Sequence, residues 1–274
     1  MKKSLLFMIL GLLSTTLFAF SDADMDGVAD SVDKCPNTPF MDLVDVNGCA
    51  IKSLKTQQHY DIIVGESYSD SDYVSLTKTD TFATTLQIDY YYKNFSLQAS
   101  SGYFTTDGDG YSDSGMQDSY IGGAYNFKPL NALTLRIGAV AILPTYDSSL
   151  NNNKTDYSGS LNISYSLGKV NLFGGYAYTK VNDTDYLDGN NSIYYQNTNA
   201  YNVGVGVYAT DKLYISLAYN NSNSIYKGIK DTQTASVYGY YSLTQHWFTT
   251  LNYAYGISDT ASKNYAAIRV GYYF

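Results

Sequence analysis

From residue 58 onward, apolar and polar positions alternate in segments of about ten residues. In the last segment Ala266, Ile268, Val270, Tyr272 and Phe274 fall on one face, and Tyr265, Ala267, Arg269, Gly271 and Tyr273 on the other. A strand imposes that period of two, since successive side chains point to opposite sides of the sheet. One face suits lipid and the other suits water. The pattern predicts strands over 59–69, 81–92, 95–105, 117–127, 133–145, 157–167, 170–180, 199–209, 213–222, 232–243, 247–257 and 264–274. That makes twelve, with ten and fourteen the alternatives that shifted boundaries leave. Leu161, Ile163, Tyr165 and Leu167 form one apolar set, while their alternates Ser158, Ser160, Asn162, Ser164 and Ser166 are small and polar.

The connections supply the topology. Those at Lys93-Asn94, 128–132, Gly168-Lys169, 210–212 and 244–246 are tight, and those at 70–80, 106–116, 146–156, 181–198, 223–231 and 258–263 are longer and rich in Asp, Asn, Ser and Gly. Strict alternation of short and long connections is what an up-and-down barrel produces, with turns on one side of a membrane and loops on the other. An even strand number brings both ends back to the same side. The fold expected is therefore all-β, a transmembrane antiparallel β-barrel. A soluble β-sandwich is the weaker reading, because these strands are longer and more regular than sandwich strands.

The N-terminus adds a compartment. Met1-Lys2-Lys3, an apolar run from Leu5 to Leu13 and a small residue at Ala19 make a secretory signal over 1–19. Nothing downstream offers the ~20 consecutive apolar residues of a transmembrane helix. The domain order expected is 1–19 signal peptide, 20–52 a small loop unit, 53–58 linker and 59–274 barrel. The chain contains 31 Tyr, a residue whose ring suits the lipid boundary while its hydroxyl reaches water. The net charge of −8 becomes −10 without Lys2 and Lys3, which leaves nothing to neutralise nucleic-acid phosphates. Nucleic acid is not an expected partner.

A long amphipathic strand that stops on Phe274 resembles the closing strand of bacterial outer-membrane β-barrels. The resemblance implies that Phe274 is the signal read by the β-barrel assembly machinery. It also implies a Gram-negative outer membrane, with contacts to its lipid and lipopolysaccharide.

Residues 22–33 place Asp22, Asp24 and Asp26 at odd positions of a loop, Gly27 at the sharp turn, Val28 where a carbonyl is offered, and Asp30 and Asp33 at positions nine and twelve. Hard oxygen ligands at this spacing suit Ca2+, although Asp33 stands where a bidentate Glu is usual. Cys35 and Cys49, with thirteen residues between them in an exported chain, are expected to form a disulfide. A unit of this size has almost no core, so metal and disulfide must hold it. The ligand spacing, Cys35-Pro36 and Asn47-Gly48-Cys49 together resemble the thrombospondin type 3 repeat, in particular the copies that link the barrel of OprF-type porins to a peptidoglycan-binding domain. This chain carries its single copy before the barrel, where it is expected to act as a spacer to a periplasmic partner or as a plug. Asp45 is expected to cap the unit or to donate a ligand to a neighbouring repeat. The run 107–113 is a weaker calcium candidate, and the aspartates Asp70, Asp72, Asp147, Asp183, Asp185 and Asp188 are candidates to share divalent ions with lipopolysaccharide.

Catalysis finds little support. The chain has two histidines, His59 and His246, both expected at the lipid boundary, and no spacing singles out a carboxylate pair for acid-base work. Charges on the inward face are few: Asp61, Asp89, Arg136 and Arg269, each in the lower third to half of its strand. Closure of the barrel should bring Arg269, Asp61 and Asp89 together, as a structural ion pair or as a pore constriction. The function expected is a narrow porin-like channel for small solutes and not an enzyme. A non-conducting structural or adhesive barrel with acidic loops is the alternative, and a barrel enzyme a distant third.

Overall fold

A computed structural model describes residues 28, 30, 32–35, 44–49, 58–71, 78–108, 110–146, 154–188 and 191–274. The chain divides into two compact units, Met1–Gln57 and Gln58–Phe274. The signal-peptide and linker expectations fall largely outside the described residues.

In the first unit, Cys35 and Cys49 are joined by a disulfide with their Cα atoms 4.9 Å apart. A tight turn leads into Cys49. Gly48 adopts φ 76°, a left-handed conformation that costs glycine nothing, and its N–H donates to the Asp45 carbonyl at 3.1 Å. Asp45 Oδ1 accepts from the backbone N–H groups of Asn47 (2.8 Å) and Cys49 (3.1 Å), and Oδ2 from Asn47 Nδ2 at 3.3 Å. Asp45 is therefore a cap on its own turn. Lys34 N–H donates to the Asn47 carbonyl at 2.8 Å and ties the two ends of the disulfide loop together.

The second unit is a closed antiparallel barrel. Its elements in chain order are β1 (Gln58–Ser71), β2 (Thr79–Tyr92), β3 (Phe95–Gly108), β4 (Tyr111–Met116), β5 (Ser119–Leu130), β6 (Leu133–Leu143), β7 (Asp156–Leu167), β8 (Val170–Lys180), β9 (Tyr186–Asp188), β10 (Asn191–Ile193), β11 (Thr198–Tyr208), β12 (Leu213–Ser222), β13 (Thr232–Ser242), β14 (Trp247–Gly256) and β15 (Asn264–Tyr273). β4 and β5 both lie along β3 and share one place in the wall, and β9 and β10 pair only with each other, which leaves twelve positions around the barrel. The ladder between β1 and β15 closes it, running from Asp61↔Tyr273 to Asp70↔Asn264. Phe274 N–H extends this seam by donating to the Tyr60 carbonyl at 2.9 Å. Closure pairs the ladder edges that a membrane could not hydrate.

Short connections gather at one end. Tyr92↔Phe95 and Leu167↔Val170 flank two-residue turns, and in each the first turn residue carries a positive φ, 52° at Lys93 and 60° at Gly168. At the third short connection β5 runs on to Leu130, with a register irregularity between Phe127 and Leu130 that contains Pro129. Proline has no N–H to give a ladder, so it sits where the ladder slips.

Two expected loops contain strands. Residues 106–116 continue the wall as the β3–β4 hairpin, paired to Gly108↔Tyr111 with Gly110 at φ 78° in the turn. The turn-forming residues are confined to the tip, and the flanking Thr, Ser and Tyr residues extend the ladder. Thr81 and Thr106 hydroxyls meet across it at 2.8 Å. The long connection 181–197 carries the β9–β10 hairpin and is pinned to its neighbour: Lys227 N–H donates to the Tyr194 carbonyl at 2.8 Å, and Gln196 Nε2 to the Ser224 carbonyl at 2.8 Å.

The faces sort as the alternation requires. Ile268, Val270 and Phe274 on β15 and its end, and Leu161, Ile163 and Leu167 on β7, are exposed on the outside. Aromatic residues gather at the short-turn rim, where Trp247 meets Tyr272 at 4.8 Å, Tyr272 meets Phe274 at 4.7 Å, and Tyr60 meets Tyr90 at 4.8 Å. Glu66 is the exception on the outer face of β1. It accepts from Thr84 Oγ1 at 2.7 Å, two positions below Tyr68.

Candidate functional site

The site is the inner face of the barrel. Among the described residues no large side chain is fully buried, as the interior of a filled barrel would require. Tyr120 has the inward parity of β5 yet is 43% exposed. Other rings stand inward, Phe173 over Gly204 and Phe248 over Gly271, so the interior is partly filled.

Asp61 and Asp89 face each other in register across β1 and β2. Asp89 is buried, and its Oδ2 accepts from Gln87 Nε2 at 2.8 Å and from Tyr91 Oη at 3.4 Å. One oxygen of each carboxylate, Asp61 Oδ1 and Asp89 Oδ1, is buried without a hydrogen-bond partner. Arg269 reaches the pair only through Gln87, donating from Nη1 to Oε1 at 3.4 Å. Arg136 donates from Nη2 to Ser96 Oγ at 3.0 Å and from Nη1 to Asn126 Oδ1 at 3.5 Å.

The four charges expected together thus lie on one arc of the wall, β15, β1, β2 and β6, but the direct ion pair does not form. Among the described residues the ion pairs are Lys78–Asp70 at 3.7 Å and Lys78–Asp80 at 3.6 Å, at the opposite end. The reason lies in the register. Arg269 stands opposite Gly65 and Thr250, four residue positions from the Asp61 row, and Gln87 fills the interval. His59 also departs from expectation. It has inward parity and stacks on Tyr91 at 4.3 Å and against Tyr273 at 4.7 Å, at the mouth of the lumen and not at the lipid boundary. His246 lies in a turn, 5.7 Å from the outward Tyr272 ring.

The facing arc carries Asp156 at the loop end of β7 and is otherwise uncharged at its inward strand positions. A hollow of about 230 Å³ is lined by residues of β7, β8, β11, β12 and β13, among them Ser160, Asn162, Gly175, Asn202, Asn220 and Thr234. The sequence marks Asn162 and Asn202 only as small polar alternates. Their alignment in one row depends on cross-strand register, which no single strand reveals.

Of the calcium ligands expected, Asp22, Asp24 and Asp26 lie outside the described residues, while Val28, Asp30 and Asp33 are described. Asp33 Oδ1 accepts from Cys35 N–H at 2.8 Å, and its Oδ2 is buried without a protein partner. An orphaned carboxylate oxygen at position twelve fits a cation ligand. Hydrogen bonds to its own turn, chiefly from the backbone N–H of Asn47 and then of Cys49, hold the Asp45 carboxyl below the usual carboxylate range. Both Asp45 oxygens have donors within that turn, as a cap requires.

The loop aspartates are occupied too. Asp183 Oδ1 accepts from Lys154 N–H at 3.1 Å and Asp185 Oδ1 from Tyr195 N–H at 2.9 Å. Asp70, next to last in β1, accepts from Asn264 N–H at 2.6 Å. Asp72 and Asp147 lie outside the described residues. In the 107–113 run, Asp107 pairs with Ser112 and Asp113 with Thr106, adjacent rows that put the two carboxylates on opposite faces of the hairpin. They cannot share an ion.

No family model matches the chain. A stretch of 30 residues is 70% identical to alpha-agarase of Thalassotalea agarivorans, and one of 29 residues is 66% identical to outer membrane porin F of Pseudomonas aeruginosa. Each covers 11% of this chain, and they span only 2% and 8% of those proteins. The likeness to solved structures covers far more. The COG4313 outer membrane channel of Pseudomonas putida F1 aligns with a TM-score of 0.66 at 13% identity, over 81% of this chain and 97% of that one. The NanC porin aligns at 0.54 and 15% identity, and the KdgM porin at 0.52 and 11%, each over 77% of this chain and 98% of its own. At such identities the likeness is one of fold. With the closed ladder and the apolar outer belt, it gives the chain the fold of an outer-membrane β-barrel.

Proposed function

We propose that the protein is a narrow porin-like channel that passes small solutes across the outer membrane, preceded by a calcium-stabilised unit on the periplasmic side. The observation that carries the channel is a closed ladder whose interior, although it holds inward rings such as Phe173 and Phe248, buries no large side chain fully among the described residues and leaves a hollow of about 230 Å³. The porin and channel folds it resembles support the same reading. Asp61, Asp89, Arg136 and Arg269 form its charged narrowing. In a low-dielectric passage such a cluster sets the sign of the ions admitted.

In the N-terminal unit Asp22, Asp24, Asp26, Asp30 and Asp33 would hold Ca2+ with the Val28 carbonyl, and the bound ion would supply folding free energy to a segment too small for a core. The orphaned Asp33 oxygen supports this. Phe274 would engage the assembly machinery, the acidic loops would face lipopolysaccharide, and the N-terminal unit would meet a periplasmic partner.

Planar-bilayer recording tests the channel. Wild type should conduct, and Arg269→Ala should raise cation preference severalfold in reversal potentials under a salt gradient, because two carboxylates then face the lumen with one guanidinium. Unchanged selectivity in a folded variant would make the cluster structural. A wild type that never conducts would leave the non-conducting structural barrel in place of the channel.

A further inference from the structure

We propose that the uncharged stretch of this facing arc is a binding surface for neutral oligosaccharides. The proposal rests on the channel reading and names the class of solute. Its basis is a single row of the sheet. Asn162 on β7 pairs with Gly175 on β8, Gly175 with Asn202 on β11, Asn202 with Asn220 on β12, and Asn220 with Thr234 on β13. All five positions line the hollow of about 230 Å³, and none of the residues around that hollow is charged.

Gly175 makes the row concave. A Cβ there would collide with Asn162 Oδ1 and lie 3.2 Å from Asn202 Nδ2, so the glycine lets two amides converge over its backbone. Neither amide has a protein hydrogen-bond partner among the described residues. Asn220 spends its Nδ2 on Thr234 Oγ1 at 3.2 Å and Ser236 Oγ at 3.1 Å and keeps its carbonyl oxygen.

Chemistry selects the ligand. An amide carries two donors and an acceptor, as an array of sugar hydroxyls needs, and it has no charge with which to prefer an ion. Adjacent strands lie ~4.8 Å apart, so Asn202, Asn220 and Thr234 offer amides or a hydroxyl at steps close to the length of a pyranose ring, with Asn162 two steps away across Gly175. An acidic oligosaccharide needs a net positive lumen, and the two guanidiniums, Arg269 and Arg136 (the latter opposite Asn162), are matched in number by the carboxylates of Asp61 and Asp89. Those carboxylates would repel it.

The test is current interruption in planar bilayers, with maltohexaose as the neutral probe and hexagalacturonate as the acidic probe of equal length. Maltohexaose should interrupt the wild-type current at concentrations at least tenfold below those hexagalacturonate needs. In Asn162→Leu/Asn202→Leu, interruption by maltohexaose relative to the variant's own open current should require at least tenfold more sugar. Asn162→Asp/Asn202→Asp, close in size, serves if the leucine variant does not fold, and should show the same direction. Equal or stronger interruption by hexagalacturonate overturns the proposal, as does unchanged interruption in a folded variant. A conducting wild type that ignores maltohexaose overturns this inference alone, whereas a wild type without conductance overturns the channel reading and this inference with it.

Discussion

The two units of this chain solve the same problem with different means. The barrel, Gln58–Phe274, buries no large side chain fully among the described residues, yet each of its twelve wall positions is hydrogen-bonded on both sides and the last returns to the first. Its stability is a property of closure. The described part of the N-terminal unit has one disulfide, one capped turn and a carboxylate oxygen with no protein partner. A segment of this length cannot bury enough apolar area to fold on that account, so cross-links and ions take over. The units should therefore fail separately and under different insults.

The largest effect is expected from breaking closure. Removing Phe274 deletes the hydrogen bond to Tyr60 and the ring that packs on Tyr272 at 4.7 Å, beside Trp247. Most of the protein should then fail to reach the heat-modifiable form in outer-membrane fractions, read as the shift between boiled and unboiled gel samples. A normal yield of that form would mean the seam tolerates the loss of its last residue.

A smaller and confined effect is expected from the metal. Asp24→Ala/Asp26→Ala should abolish calcium uptake at this unit in titration calorimetry, and chelation should open residues 22–49 to protease while the barrel keeps its gel shift. The disulfide would still contribute roughly 3 kcal/mol in the chain-entropy model, so the chelated unit is loosened and not released. Equal calcium affinity in the double variant would remove the metal from the comparison and leave the disulfide alone.

The two units were also legible in different ways. Period-two alternation and the rhythm of short and long connections carry the whole barrel, because each strand's inward and outward sets are local to its own sequence. The strand spans agree with the expected ones to within a few residues, apart from the β9–β10 hairpin inside an expected loop and the β3–β4 hairpin, where Gly108 and Gly110 suggest a loop and the flanking Thr105, Thr106, Ser112 and Ser114 build a ladder. What a single strand cannot show is register. Asp61 and Asp89 as a facing pair, Gln87 between Arg269 and that pair, and the row Asn162, Gly175, Asn202, Asn220 all depend on how far neighbouring strands are staggered. In the N-terminal unit, ligand spacing is itself local, so the candidate residues are legible, and capping by Asp45 is among its expected roles, whereas the donors it caps are identified only once its turn is formed.

The smallest effect concerns that cap and acid. The Asp45 carboxyl is held below its ordinary value by hydrogen bonds from Asn47 and Cys49 that favour the charged form. For a carboxylate depressed in the folded state the sign is fixed: its contribution is complete above the unfolded value near 3.8 and is lost as pH falls through the lower folded value. At neutral pH the cap is fully in place, and only strongly acidic solutions weaken it. A carboxyl-carbon titration of the full chain in detergent, with chelator present so that metal does not intervene, should give Asp45 a midpoint below that of an ordinary aspartate. Asn47→Gly removes the side-chain donor but keeps the backbone one, and should move the midpoint only part of the way back. A wild-type midpoint at or above 3.8 would mean that the turn does not hold the carboxylate. In that case the unit would rest on disulfide and metal alone, a sharper contrast with the barrel than the capped turn allows.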